Sequence, residues 1–184
     1  MSRVEQSWGH APHNGPGADR QDRDGVTVVT FRLGQQMMAI PASALREILD
    51  PLPVTRVPTA DRSVWGVINV RGAVVPLAEL RHAFGIAIGP LTSASRMMVL
   101  DVDIAGEPVV VAVSADAVTA VITLERGTME RLPPGGSTWP AAFVQGLFRS
   151  AAGVIMMPDL TSIFAAHAAA GVAGQPPSGM RENP

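Results

Sequence analysis

Short apolar runs, rich in valine, isoleucine and methionine and separated by glycine or proline, fill the middle of this 184-residue chain. Such residues favour the pleated, partly buried surface of a β-sheet, and the runs are shorter than most helices. Alternation within 26–33 places Val29, Phe31 and Leu33 on one face. We therefore predict an all-β fold of about ten strands, at 26–33, 37–40, 54–57, 65–70, 73–77, 96–104, 108–113, 118–124, 144–149 and 154–157.

Two or three short helices are predicted beside these strands. Pro41 suits the first position of a helix, and three apolar residues follow it at helical spacing. Asp159 suits the N-cap of a closing helix. The segments predicted to be helical are 41–49, 77–84 and 160–170.

Many short strands, mostly in hairpins, are typical of small barrels or sandwiches. The predicted strands fall into two groups on either side of a loop at 85–95, so two five-stranded barrels with a boundary near that loop fit better than one large barrel. The polar ends at 1–25 and 171–184 predict a disordered leader and a disordered tail. We expect the folded body at 26–170.

The absence of cysteine and lysine narrows the available chemistry. Without cysteine there are no disulfides, thiolate metal sites or thiol nucleophiles. All 14 basic residues are arginine, which excludes a P-loop lysine and a Schiff-base lysine. A net charge of −2 argues against a protein that binds nucleic acid by neutralising many phosphates.

No catalytic or metal-binding pattern is present in the sequence. The Gly-x-Gly-x-x-Gly, Walker, Gly-x-Ser-x-Gly and His-Glu-x-x-His motifs are all missing. Asp101 and Asp103 alternate with apolar residues, as on the solvated face of a strand, so a catalytic pair is disfavoured. The chain has four histidines, His10, His13, His82 and His167. No third metal-ligating residue is placed near any pair of them. We expect no enzyme activity, no metal and no cofactor.

The chain also lacks the patterns of a membrane protein. No stretch of about 18 apolar residues is free of charges and helix breakers, and the first 25 residues do not have the pattern of a signal peptide. We therefore expect a cytoplasmic protein with no direct membrane insertion.

Three adjacent methionine pairs, at 37–38, 97–98 and 156–157, lie within predicted strands. Neighbouring side chains on a strand face opposite sides, so each pair supplies one core side chain and one that faces outward or into a second layer. Flexible core filling is the favoured interpretation. An adaptable apolar groove is the alternative, because methionine-rich surfaces accept varied partners.

The segment G-V-I-N-V-R-G-A-V-V-P-L at 66–77 is the most distinctive in the chain. Gly72 supplies turn geometry that other residues resist. Arg71 then stands at the tip of an apolar hairpin, either as a directional, multi-donor binding group or as a solvated turn residue.

Several blocks of the sequence resemble the CheW-like chemotaxis coupling proteins. The blocks are G-Q-Q-M-M-A-I-P at 34–41, L-R-E-I at 45–48, N-V-R-G-A-V-V-P-L at 69–77, E-L-R at 79–81 and Q-G-L at 145–147. Their order and spacing match over about 28–165, and the N-x-R-G-x-x-V-P block is quite specific.

This resemblance implies two five-stranded SH3-like barrels that share an apolar seam, and a non-catalytic adaptor. It also implies that the protein couples the cytoplasmic tip of a chemoreceptor to the regulatory domain of a CheA-type histidine kinase, within receptor arrays at the membrane. The receptor-binding positions that it implies are Leu45, Val67 and Arg71. The kinase-binding positions that it implies are Glu47, Val54, Arg56 and Val57.

Three other functions remain as alternatives. The methionine pairs permit a regulator that binds a small apolar ligand between the barrels. A hydrolase lacks any supporting motif. A nucleic-acid-binding barrel is disfavoured by the missing lysines and the few aromatic residues.

Overall fold

The computed structural model describes residues 25–56, 64–104, 106–133, 138–151 and 153–173. These residues form ten strands, two α-helices and three single turns of 3-10 helix. The strands are β1 (Gly25–Leu33), β2 (Gln36–Pro41), β3 (Leu45–Leu49), β4 (Val64–Val70), β5 (Ala73–Ala78), β6 (Arg96–Ile104), β7 (Glu107–Ala115), β8 (Ala117–Glu125), β9 (Val144–Ser150) and β10 (Gly153–Pro158). The helices are α1 (Leu80–Phe84) and α2 (Leu160–Ala173).

The strands form two curled five-stranded sheets, and the prediction of two SH3-like barrels is confirmed. The order β8-β1-β2-β10-β9 builds one of them, which we call the terminal barrel; the order β3-β6-β7-β5-β4 builds the central barrel. The grouping of strands on either side of the loop at 85–95 is wrong, because strands before and after that loop share the central barrel. Parallel pairing of β2 with β10 and of β5 with β7 joins segments that are far apart in the sequence.

The helix predicted over 41–49 is also wrong. Pro41 ends β2, Ala42–Ala44 form one turn of 3-10 helix, and Leu45–Leu49 form β3, which pairs with β6. In so short a segment the apolar spacing fits a helix or a strand equally well. After a bulge at Arg46, partly buried and exposed residues alternate from Glu47 to Leu49, which is the period of a strand.

The strand predicted over 54–57 is reduced to one bridge, in which Thr55 pairs with Val67 of β4. Val57 lies outside the described residues, as do the predicted leader up to residue 24 and the tail from residue 174. The prediction that the tail begins at 171 is corrected, since α2 continues to Ala173. The predicted cap of this helix is confirmed: Asp159 Oδ1 accepts a hydrogen bond of 2.9 Å from the Ser162 N–H.

One apolar cluster is shared by the two barrels. It contains Phe31 and Leu33 of the terminal barrel and Leu100 and Val113 of the central barrel, all fully buried. Each barrel also has a smaller cluster in its own interior. The shared cluster is the apolar seam that the resemblance implied.

The methionine pairs link the seam to the barrel interiors. Met38, Met98 and Met156 are fully buried in the shared cluster. The second member of each pair faces a barrel interior, Met97 in the central barrel and Met37 and Met157 in the terminal barrel. The methionines therefore fill the core in two layers.

The two barrels close in the same way. In the central barrel the segment after β3 reaches β4 through the Thr55–Val67 bridge, and in the terminal barrel the segment after β8 reaches β9 through the Glu130–Leu147 bridge. The second closure is reinforced by an ion pair of 2.7 Å between Arg149 and Glu130.

The Arg149–Glu130 pair gives a testable pH dependence. Hydrogen bonds from the Arg149 side chain lower the pKa of Glu130. A carboxylate whose pKa is lower in the folded state than in the unfolded state stabilises the fold at pH values above its unfolded-state pKa. This contribution to stability is lost as the pH falls through the folded-state pKa. We expect Arg149→Met to raise the titration midpoint of Glu130 toward the ordinary glutamate value of about 4.3, measured by NMR of its side-chain carboxyl. Arg46→Met is the control; an unchanged midpoint in Arg149→Met contradicts the prediction.

Candidate partner-docking face

A tight turn between β4 and β5 positions Arg71. Val70 pairs with Ala73, so Arg71 and Gly72 alone make the connection, with φ values of 52° and 89°. Asn69 Oδ1 accepts a hydrogen bond of 2.7 Å from the Gly72 N–H and fixes this geometry. Positive φ at two central residues matches the twist of a β-hairpin, so the turn holds the Arg71 backbone in one conformation.

Arg71 is not a solitary group at the hairpin tip, because it pairs with Glu47 of β3. Arg71 Nη2 donates to Glu47 Oε2 at 2.8 Å. The Arg71 side chain is 82% exposed, whereas that of Glu47 is 24% exposed. The carboxylate therefore anchors an arginine whose remaining donors face solvent.

The pair lies where the central barrel closes. Thr55 and Val67 exchange two backbone hydrogen bonds of 2.9 Å each, which hold the segment after β3 against β4. Gly66 permits this approach, since a Cβ added there would lie 2.5 Å from the Thr55 carbonyl oxygen. We call the resulting surface the docking face; its members are Glu47, Val54, Thr55, Arg56, Val67 and Arg71.

The predicted binding residues of this barrel lie in two contacts, the Arg71–Glu47 ion pair and the bridge by which Thr55, between Val54 and Arg56, pairs with Val67. Val54 is 37% exposed and Arg56 is exposed, whereas Val67 is partly buried under the closing segment. Contact between Glu47 and Arg71 joins a predicted kinase-binding position to a predicted receptor-binding position. Sequence reasoning assigned these two residues to different partners and gave no sign that they touch.

Leu45 does not belong to the docking face. Its partner on β6 is Leu100, whereas the partner of Glu47 is Val99, so a bulge between them turns the two side chains to opposite sides. Leu45 is partly buried and packs against the shared cluster. Substituting Leu45 therefore perturbs the fold as well as any surface.

The exposure of two apolar residues was not predicted from the sequence. Ile48 on β3 is 41% exposed and Val74 on β5 is 71% exposed. Ile48 was hidden by the helix prediction, in which it belonged to the apolar side. Strand alternation along 45–49 would have shown that it points away from Glu47 and Leu49.

The alternating aspartates of β6 have structural partners. Arg46 Nε donates to both carboxylate oxygens of Asp101 at 2.7 Å, which raises the pKa of Arg46. Asp103 Oδ1 accepts from the Gly106 N–H at 2.8 Å in the following turn. These contacts account for both carboxylates without a catalytic role.

The cleft where the two barrels meet has a volume of about 200 Å³. Three carboxylates line it, from Asp101, Asp103 and Asp159. Pockets for drug-sized ligands are larger and mostly apolar, so this lining does not favour the apolar-ligand alternative. In the described part of the chain no three acidic or histidine side chains are placed so that together they could hold a metal ion. No helix among the described residues has the length and apolarity to cross a membrane.

The geometry defines a double-barrel protein with an exposed arginine–glutamate pair and a bridged closing segment on its central barrel. The sequence matches the CheW-like domain family over residues 27–168. The chain therefore belongs to the CheW-like family.

Individual relatives agree with this assignment. The chain is 29% identical over 140 residues to the chemotaxis protein CheW of Rhizobium meliloti, covering 76% of this chain and 88% of the relative. It is 26% identical over 137 residues to a probable chemotaxis protein CheW of Rhizobium etli, covering 74% and 86%. The crystal structure of the scaffolding protein TtCheW from Thermoanaerobacter tengcongensis aligns with a TM-score of 0.66 and 26% identity, covering 76% of this chain and 92% of that one.

Proposed function

We propose that this protein is a non-catalytic scaffold of a chemosensory pathway, which couples the cytoplasmic tip of a chemoreceptor to the regulatory domain of a CheA-type histidine kinase. Membership of the CheW-like family supports the scaffold role. The proposal places the protein in the cytoplasm, at membrane-associated receptor arrays through its partners.

The Arg71–Glu47 pair is the single observation that carries the proposal. A scaffold needs directional groups that are exposed and yet held in place. Arg71 meets both conditions, since its backbone is fixed by a tight turn, one donor is held by Glu47, and the rest of the guanidinium is exposed. Such a group forms strong hydrogen bonds with carboxylates or carbonyls at the margin of a helical hairpin.

The neighbouring part of the docking face suits the second partner. Val54 offers exposed apolar surface next to Arg56, on a segment tied to β4 by one bridge. We propose kinase contact through this segment, extending to Val57 and including Glu47, and receptor contact around Leu45, Val67 and Arg71. Because Glu47 pairs with Arg71, one ion pair joins a kinase-binding position and a receptor-binding position of this proposal.

Replacing Arg71 with alanine tests the receptor part of the proposal. The side chain carries no core contacts, so we expect stability to change by less than about 0.5 kcal/mol. Loss of a central directional contact should reduce receptor-dependent kinase activation about tenfold, measured in a reconstituted complex of receptor, kinase and scaffold. Arg46→Ala is the matched control, because Arg46 is also exposed and also pairs with one carboxylate. Full activation by Arg71→Ala at normal abundance would remove Arg71 from the receptor-binding site.

A further inference from the structure

A buried polar cluster lies beside α1. Glu79, Arg81 and Ser114 are each at most 4% exposed. Arg81 Nη1 donates to Glu79 Oε1 at 2.7 Å, and Ser114 Oγ donates to Glu79 Oε2 at 2.6 Å. Ser114 lies on β7 of the central barrel, Arg81 lies on α1, which connects β5 to β6 of that barrel, and Glu79 is the N-cap of α1.

Asp116 extends this cluster to the terminal barrel. It is the single residue between β7 of the central barrel and β8 of the terminal barrel. One carboxylate oxygen, Oδ1, accepts from Arg81 Nη2, and the other, Oδ2, accepts from the Gly34 N–H at 2.6 Å. The Asp116 N–H also donates to the Arg32 carbonyl at 2.9 Å. A continuous chain of hydrogen bonds thus runs from α1 to the β1–β2 turn.

The apolar seam and this cluster hold the barrels together in different ways. Burial of apolar area is non-directional, and the seam contains methionines, whose unbranched side chains repack readily. An arginine held by two carboxylates in fixed positions is directional, and it satisfies those carboxylates only at one mutual orientation.

We infer that the Glu79–Arg81–Asp116 cluster sets the angle between the two barrels, while the seam supplies their adhesion. These three are positioning residues, which keep surfaces on the two barrels at one relative orientation. The inference concerns the geometry of the chain itself and does not depend on the identity of any partner.

Distance measurement between the barrels tests this inference. The chain has no cysteine, so Ala73→Cys and Thr123→Cys introduce two unique spin-label sites. Both positions are exposed, one on β5 of the central barrel and one on β8 of the terminal barrel. In pulsed electron–electron double resonance, which measures the distance between the two spin labels, we expect one narrow distance distribution in the parent protein. Asp116→Asn, which removes the charge that joins α1 to the terminal barrel, should broaden the distribution roughly twofold or displace its mean.

Glu130→Gln is the matched control, since it weakens an ion pair within the terminal barrel, and it should leave the distribution unchanged. Arg81→Lys is a second test, because an ammonium group lacks the fork that reaches two carboxylates; it should broaden the distribution as Asp116→Asn does. An unchanged distribution in the folded Asp116→Asn and Arg81→Lys proteins overturns the inference, whether or not their melting temperatures fall.

Discussion

Replacing Gly66 with alanine is expected to detach the closing segment of the central barrel and to abolish the docking face. The new Cβ would lie 2.5 Å from the Thr55 carbonyl oxygen and 2.6 Å from Val54 Cγ1. Because a backbone atom is one of the obstacles, the segment itself has to move, and both hydrogen bonds between Thr55 and Val67 are lost. We expect amide exchange at Thr55 and Val67 to become roughly 100-fold faster and the affinity for the kinase regulatory domain to fall more than about tenfold.

Gly146 of the terminal barrel offers a matched control. A Cβ there would meet Cγ and Sδ of Met129, whose flexible side chain can rotate toward solvent because the residue is 41% exposed. The nearest backbone atom, the Glu130 carbonyl oxygen, would lie at an ordinary contact distance of 3.4 Å. Gly146→Ala should therefore keep the Glu130–Leu147 bridge and normal kinase binding. Unchanged exchange at Thr55 in Gly66→Ala would show that the closing segment is not held as described.

The largest expected loss of stability comes from replacing Phe31 with alanine. Phe31 has no solvent exposure and lies in the cluster shared by the barrels. Removing a buried phenyl ring loses its transfer free energy and leaves a cavity, at a cost of about 3–5 kcal/mol. Since a domain is stable by only about 5–15 kcal/mol, the urea unfolding midpoint should fall steeply, with both barrels affected together.

Val121→Ala is the control for this experiment. Val121 lies on β8 of the same barrel and is 66% exposed, so its truncation should cost less than about 0.5 kcal/mol. A loss below about 1.5 kcal/mol in Phe31→Ala would mean that the seam repacks around the missing ring. Separate unfolding transitions for the two barrels would contradict a shared core.

Local reasoning predicted the strands and hairpins of this fold well, because alternation and turn residues are local signals. The helix prediction for 45–49 is wrong because a five-residue strand is too short for its period to be distinguished from that of a helix. The grouping of strands at 85–95 was wrong for a different reason. Parallel pairs such as Ile155 with Met37 depend on a long-range fit of buried surfaces, which local patterns do not contain.

In the candidate site, too, local features were predictable from the sequence, whereas contacts between distant residues were not. Gly72 in the sequence was enough to predict a turn that displays Arg71. The partner of Arg71 was not predictable, since Glu47 lies 24 residues earlier and reaches it only because the barrel closes there. The polar cluster at Arg81 was missed because a Glu-x-Arg spacing on a short helix resembles a solvated surface, and only the folded chain shows that both side chains are buried.

In the sequence, all strands of the central barrel lie between β2 and β8 of the terminal barrel. This order has a consequence for synthesis on the ribosome. Every strand of the central barrel leaves the exit tunnel before β9 and β10, whereas the terminal barrel waits for those last two strands. While the central barrel folds, β2 of the nascent chain must therefore remain without its partner β10. A premature stop before residue 144 would release a chain that has every strand of the central barrel but lacks β9 and β10. The exposed edge of its incomplete terminal sheet would be a target for chaperones and proteases.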